Sequence, residues 1–437
     1  MILDVLFAIM GITCLIGIAY LFSNNRKNID WRLVGIGISL QVIFAIFVLR
    51  IPGGEMVFNT IGKFFVQLIN FTFEGAIFVF GFLASQAQTD KIIPQNLQNQ
   101  GFGFIFAFQV LPTIIFFSSL MTVLYHLGIM QKIVQGMAWI MAKTMKVSGA
   151  ESLSVAANVF VGQTEAPLVV RPYVSTMTQS ELLTLMVGGM ATIAGGVLAA
   201  YVNILGGSDT LMQIYYAKHL LSASVMAAPA TMVIAKILIP ETQISETKGT
   251  IKLKVEKTTA NVIDAAATGA ADGLKLALNV AAMLLAFIAL IAMLNYILGG
   301  IGSITGLNTI LGKPLSMNII LGYALSPIPW IIGVPWNDAV NVGSLIGEKI
   351  VVNEFIAYLD LSNMIKNGIL SDKAIIISTY ALCGFANFAS IAIQIGGIGG
   401  IAPNRRKDLA KFGLTAVLGG SLATLMTATI AGVLISL

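Results

Sequence analysis

A chain of 437 residues that is 57% hydrophobic and only 10% charged cannot keep its whole surface in water, because soluble proteins carry about 25% charged residues. The formal charge of +5 describes loops beside anionic lipid and is no sign of nucleic-acid binding. Apolar runs near the ~20 residues needed to cross a bilayer recur along the chain, without the alternating ten-residue segments of a membrane β-barrel, so the expectation is an all-α polytopic membrane protein with about eight spans.

The first run, MILDVLFAIMGITCLIGIAY, has no basic n-region and no convincing cleavage site, so it is read as a retained first helix. Further spans are placed at about 33–49, 103–125, 179–204, 219–239, 273–298, 374–396 and 410–436. EMVFNTIGKFFVQLINF, residues 55–71, is expected to be an amphipathic helix lying on the outer face. Cys14 and Cys383 fall inside spans and are read as buried free thiols, with no metal-ligand cluster. His126 and His219 fall at span ends and are read as interfacial, and ETQISETKGTIKLKVEK, residues 241–257, as a solvated inner loop. Placing both termini outside puts Arg26, Lys143, Lys236, Lys252, Arg405 and Lys411 on the inner side with most other basic residues, and leaves Lys349 among those on the outer side.

Two stretches fit neither span nor ordinary loop, about 126–178 and about 299–373. The first contains VSGAESLSVAANVFVGQTEAPLVVRPYV and the second PWNDAVNVGSLIGEKIVVNEFIAYLDL, each rising to a polar tip between apolar flanks. Aligned on their acidic residues, Val161-Gly162-Gln163-Thr164-Glu165 faces Val351-Val352-Asn353-Glu354. The span that follows is interrupted in both cases: MVGGMATIAGGVLAA is rich in Gly and Ala, and ALCGFANFASIAIQIGG carries Asn387 and Ser390 mid-span.

By the crossing count, the first hairpin enters from inside and the second from outside. That is an inverted-topology repeat, whose halves place substrate and ion sites near the midplane at their interface. The expected division is an N-terminal scaffold at 1–102, a first repeat at 103–240 with a hairpin near 149–175, a loop at 241–272, and a second repeat at 273–437 with a hairpin near 336–365. Non-helical backbone at membrane depth must line a cavity or be wrapped in protein, because an unpaired peptide group in hydrocarbon costs several kcal/mol. The tips near 161–166 and 352–355 are expected to be such chain, with breaks at Gly188-Gly189 and Gly195-Gly196.

GQTEAPL, VVNEFIAYLDL, the GFANFASI run and the span NVAAMLLAFIALIAMLN together resemble the concentrative nucleoside transporters over nearly the whole chain. The resemblance implies a homotrimer of eight-span subunits with two re-entrant hairpins, no enzymatic activity, and import of nucleosides such as uridine, cytidine and adenosine. It implies that Gln163, Thr164 and Glu165 face the base with Val197 beside it, that Glu354, Asn387 and Ser390 bind the ribose, and that Phe385 flanks the pocket. It also implies a sodium ion, as coupling ion and sole cofactor-like species, on the side chains of Asn158 and Thr192 and the carbonyls of Val161 and Ile193. Thr192 stands where the family pattern has Ser, and both offer a hydroxyl oxygen. Proton-coupled relatives tend to carry GQSEN at the first tip, which favours sodium here. The location implied is a bacterial inner membrane.

The chemistry of these residues agrees independently. Gln and Thr donate or accept towards a base, and a carboxylate accepts paired hydroxyl protons. The bland alternatives are Glu165 or Glu354 at a wetter interface or paired with Arg171, Asn387 and Ser390 as interhelical glue, and the Gly-rich span, Val197 and Phe385 as plain packing. The nearest rival functions are a proton-coupled or nucleobase symporter of the same plan. An intramembrane hydrolase would need a Ser with a His or Lys base or an aspartate pair, and a channel would need an open pore lined by rings of charge.

Overall fold

The computed structural model describes residues 2–85, 88–89, 92, 105–248 and 259–436, and no strand occurs among them. In chain order the main helices are α1 (Ile2–Leu21), α2 (Trp31–Leu49), α3 (Pro52–Phe80), α4 (Leu111–His126), α5 (Ile129–Met145), α6 (Gly149–Asn158), α7 (Gln179–Ala191) and α8 (Gly195–Gly206). There follow α9 (Thr210–Leu238), α10 (Val262–Ile304), α11 (Met317–Leu325), α12 (Trp336–Val351), α13 (Glu354–Lys366), α14 (Asp372–Ala381), α15 (Phe388–Ile401) and α16 (Arg406–Ser436). Many starts carry a side-chain cap that satisfies the orphan N–H groups of a first turn. Ser148 with Glu151 and Thr178 with Glu181 form reciprocal capping boxes. Asp30, Asp209, Asn353 and Asn387 accept from N–H groups of α2, α9, α13 and α15.

Among the described residues, eight helical stretches are long and apolar enough to cross a membrane. They are not one for one those expected. The helix expected over 55–71 is one part of α3, whose 29 residues meet the length and composition of a span, so those criteria alone no longer separate it from the crossing helices. The span expected at 374–396 is two helices, α14 and α15, parted by residues 382–387. The span expected at 103–125 begins within residues outside those described and is helical over Phe106–Gln109 and then α4.

The core of the molecule is α7–α8, α9 and α16, which are buried over most of their length. α10 is different: at about 1.5 Å per residue its 43 residues reach roughly 64 Å, and most of its surface is open. It packs closely along α4, where Gly273 lies so near that a Cβ would stand 2.8 Å from the Ile115 Cα.

The order helix, tip, helix, broken helix occurs twice. In the first half α6 runs to a tip at Val159–Glu165, the chain returns through short turns at Ala166–Val169 and Arg171–Val174, and α7 breaks before α8. In the second, α12 turns at Val352-Asn353 into α13, and α14 breaks before α15. The first break differs in position from expectation. Gly188 and Gly189 are helical, and the chain leaves the helix at Thr192–Ala194, resuming at Gly195. The glycines serve packing there: a Cβ on Gly188 would stand 3.1 Å from Val155 Cγ2 and one on Gly189 2.8 Å from Gln163 Cβ. The two breaks meet, since a Cβ on Gly384 would stand 2.7 Å from the Met190 carbonyl oxygen.

Three groups expected at loops or span ends lie wholly or partly inside the fold. His219 is nine residues into α9, 4% exposed, with its Nδ1 3.0 Å from the Tyr380 hydroxyl. Lys349, expected on the outer side, is 2% exposed on α12 and donates to the Ala381 carbonyl at 2.9 Å and to Thr424 Oγ1 at 3.0 Å. The start of the 241–257 stretch is solvated only in part: Thr242, Gln243 and Ile244 are exposed, whereas Ser245 and Thr247 are buried. Ser245 Oγ donates to Glu181 Oε1 at 2.5 Å and the Thr247 carbonyl accepts from Gly149 N at 2.9 Å, so this strand of chain straps the start of α6 to that of α7. Lys236 completes that cluster with Glu151 at 2.7 Å and Ser180 Oγ at 3.0 Å. The rest of that stretch, 249–258, lies outside the described residues.

Candidate functional site

Both tips and both breaks converge on one chain of hydrogen bonds. Glu354, 3% exposed at the N-terminus of α13, accepts from the Tyr201 hydroxyl at 3.0 Å on one carboxylate oxygen and from Asn387 Nδ2 at 2.8 Å on the other. Asn387 Oδ1 accepts from Ser390 N at 2.9 Å, which caps α15 and fixes the amide's orientation, because a backbone N–H can only donate. Ser390 Oγ in turn accepts from Gln163 Nε2 at 3.0 Å. Gln163 Oε1 then accepts from Gln394 Nε2 at 3.0 Å, and Gln394 Nε2 also donates to the Met186 carbonyl at 2.9 Å. The relay therefore runs from α8 through the second tip, the second break and the first tip to α7.

The sequence-expected residues fall around this relay unequally. Gln163, Glu354, Asn387 and Ser390 are members of it, all buried. Thr164 packs on α15 about one turn beyond Gln394 and on the same face, where a Cβ on Gly397 would stand 2.9 Å from its Cγ2. Val197 is buried in the first turn of α8, and Phe385 is half-buried in the second break. Glu165 is exposed and folds back over the tip: a Cβ on Gly162 would meet its Oε2. Neither Glu354 nor Glu165 is held by Arg171, which is exposed.

Two members of the relay, Tyr201 and Gln394, were missed. Both stand within the interrupted spans, and Gln394 is a polar residue in an otherwise apolar stretch, which was the signal available. Tyr201 is fully buried, stacked on Tyr358 at 4.3 Å, so its neighbours present it to Glu354 with no freedom to turn away.

Beside the relay lies a second polar knot. Asn158 ends α6 fully buried, and neither atom of its amide has a hydrogen-bond partner. An unpaired buried amide is costly, about 1–3 kcal/mol per group, so its retention needs a reason. It presses on α7 at Gly188, where a Cβ would stand 3.3 Å from its Nδ2. The carbonyl of that same Gly188 accepts from Thr192 Oγ1 at 2.8 Å, which leaves the Thr192 oxygen's lone pairs free. Gly195 N donates to the Phe160 carbonyl at 3.1 Å and Ser224 Oγ to the Val159 carbonyl at 3.0 Å, so the tip backbone is held just before Val161 and tied to the chain after Ile193. Asn158, Val161, Thr192 and Ile193 are thus gathered at one meeting of tip and break. Amide, hydroxyl and carbonyl oxygens suit a hard monovalent cation, and among the described residues no cluster of His, Cys, Asp or Glu suits a transition metal.

Known proteins match this chain over nearly its full length. Family models described as Na+ dependent nucleoside transporter N-terminus, Nucleoside recognition, and Na+ dependent nucleoside transporter C-terminus match residues 10–83, 107–208 and 219–432. An uncharacterized transporter, YutK, of Bacillus subtilis is 45% identical over 434 residues, 99% of this chain and 100% of that protein. Sodium/nucleoside cotransporter 1 of Mus musculus is 37% identical over 438 residues, 97% of this chain but 63% of the mouse protein. The structure of CNTnw in an inward-facing substrate-bound state superimposes with a TM-score of 0.88 at 44% identity, covering 99% of this chain and 98% of that one. Variants of CNTnw in outward-facing and intermediate states match with TM-scores of 0.90. With the tips, breaks and polar relay on the same scaffold, this multi-pass membrane chain is a transporter and no enzyme, and it belongs to the concentrative nucleoside transporter family of sodium-dependent nucleoside transporters.

Proposed function

We propose that this chain imports nucleosides such as uridine, cytidine and adenosine by symport with sodium, holding the nucleoside between the two tips and exposing it alternately to either side. The observation that carries this reading is the relay from Tyr201 to Gln394, because it joins polar groups of both halves where two broken helices cross. Each Glu354 oxygen spends one acceptor site on the protein, which leaves room for the two ribose hydroxyls. Asn387 and Ser390 stand at the ribose end. Gln163, Thr164 and Glu165 meet the base with Val197 beside it, and Phe385 flanks the pocket. The exposure of Glu165 suits a group that waits for its ligand.

Sodium takes the orphaned Asn158 amide oxygen, the Thr192 hydroxyl and the carbonyls of Val161 and Ile193. We read the two tips as re-entrant hairpins of an inverted repeat, 103–240 and 273–437 with 241–272 between them, set on a scaffold at 1–102. With α3 along the surface the chain crosses eight times, both termini face outward from a bacterial inner membrane, and most Lys and Arg fall inside. Lys349, counted outside from sequence, and Lys236, counted inside, are both buried and drop from that tally. The open apolar flank of α10 serves assembly of a homotrimer.

Uptake of radiolabelled uridine into proteoliposomes under a sodium gradient, a proton gradient and no gradient tests this reading. Accumulation with sodium alone is expected, and uracil should compete poorly because the Glu354 end has no partner without ribose. Uptake driven by protons without sodium, or equal handling of uracil, overturns it.

A further inference from the structure

Gln394 is a polar side chain in an otherwise apolar stretch of α15. It is fully buried on α15, its Oε1 has no donor, and only its Nε2 is used. Leaving an amide oxygen unpaired in the core is unfavourable, so what keeps this residue here is the work of its donor end.

That work can be followed atom by atom. The Met186 carbonyl can only accept, so the end of Gln394 that faces it must be Nε2. The other hydrogen of the same Nε2 points at Gln163, whose facing atom must then be the acceptor Oε1. Gln163 Nε2 is thereby turned towards Ser390. A backbone carbonyl of α7 thus dictates, through one side chain, which way round the Gln163 amide stands. The geometry leaves little slack: a Cβ on Gly189 would stand 2.8 Å from both Gln163 Cβ and Gln394 Nε2.

We infer that Gln394 is a positioning residue for base selectivity, fixing which end of the Gln163 amide meets the nucleobase; this rests on the role proposed above for Gln163. Once Gln163 has given one hydrogen to Ser390 and one lone pair to Gln394, a single donor and a single acceptor remain, in fixed places. Uridine and cytidine differ at C4, a carbonyl that accepts against an amine that donates, so a locked amide discriminates between them and a free one turns to suit either.

The test measures the uridine-to-cytidine affinity ratio in the full-length protein for Gln163→Ala, Gln394→Met and the double variant. Met keeps the unbranched shape and removes the amide. Gln394→Met is expected to shift the ratio about three- to tenfold, in the direction of Gln163→Ala, with the double variant equal to Gln163→Ala alone. Gln394→Leu, which removes the donor with a differently branched side chain of similar size, is a second probe and should shift the ratio the same way. If Gln163→Ala shifts the ratio while Gln394→Met and Gln394→Leu leave it unchanged, lower both nucleosides by one factor, or add independently, the positioning role is wrong. If Gln163→Ala itself leaves the ratio unchanged, the base-reading assignment of Gln163 fails first and this inference with it.

Discussion

Replacing Glu354 by Gln separates its part in ligand binding from its part in the fold. The amide cannot place its NH2 towards Asn387, whose Nδ2 donates and whose Oδ1 is held by Ser390 N. It must therefore give Oε1 to Asn387 and turn Nε2 to Tyr201, whose hydroxyl can rotate to accept. The protein thus recovers both contacts, and its stability in detergent should change by no more than about 1 kcal/mol. The ligand does not recover. Where the carboxylate kept two acceptor sites for a pair of ribose hydroxyls, the amide keeps one, uncharged. A hydrogen bond to a charged group contributes about 1.5–3 kcal/mol, so uridine affinity should fall roughly tenfold to a hundredfold. Equilibrium binding of labelled uridine, with a thermal melt on the same sample, reads both quantities. Wild-type uridine affinity in a well-folded Glu354→Gln would remove this carboxylate from the site, and a collapsed melt would show that the rearrangement at Tyr201 does not happen.

Asn158→Ala and Thr192→Ala should raise the sodium concentration for half-maximal uptake while affinity for uridine at saturating sodium changes little; sodium curves unchanged in both would dismiss the cation site. By linkage, sodium and uridine must raise each other's affinity by the same factor, which titrating each at fixed levels of the other would check. Gln163→Ala should reorder uridine, cytidine and adenosine, whereas Asn387→Ala should weaken all three alike; competition assays in which Gln163→Ala acts uniformly would contradict the base-facing role. Glu151→Gln leaves Lys236, 5% exposed, with Glu241 at 3.5 Å as its remaining carboxylate, so the melt should fall by the equivalent of about 3 kcal/mol. An unchanged melt would mean that Glu241 alone neutralises the lysine.

Much of this molecule is a one-dimensional matter. Membrane spans are written in local composition, because each must satisfy its own backbone within hydrocarbon, and so the helical class and most crossings follow from the residues in order. The polar tips were legible for the same reason: Gln163-Thr164-Glu165 and Asn353-Glu354 stand out against an apolar background that has no other use for them. What local composition cannot state is which surfaces meet. Whether a glycine breaks a helix or lets a neighbour approach depends on that neighbour, so Gly188 and Gly189 proved to be packing sites and the break fell to Thr192–Ala194. Lys349 and His219 look like span-end residues until a carbonyl or a tyrosine hydroxyl from another helix is brought to them. Tyr201 and Gln394 acquire their roles only from partners more than 150 residues away, Glu354 and Gln163. A polar residue in an apolar stretch marks Gln394 out, but nothing nearby in sequence names its partner, and only the crossing of the two broken helices decides which bond forms.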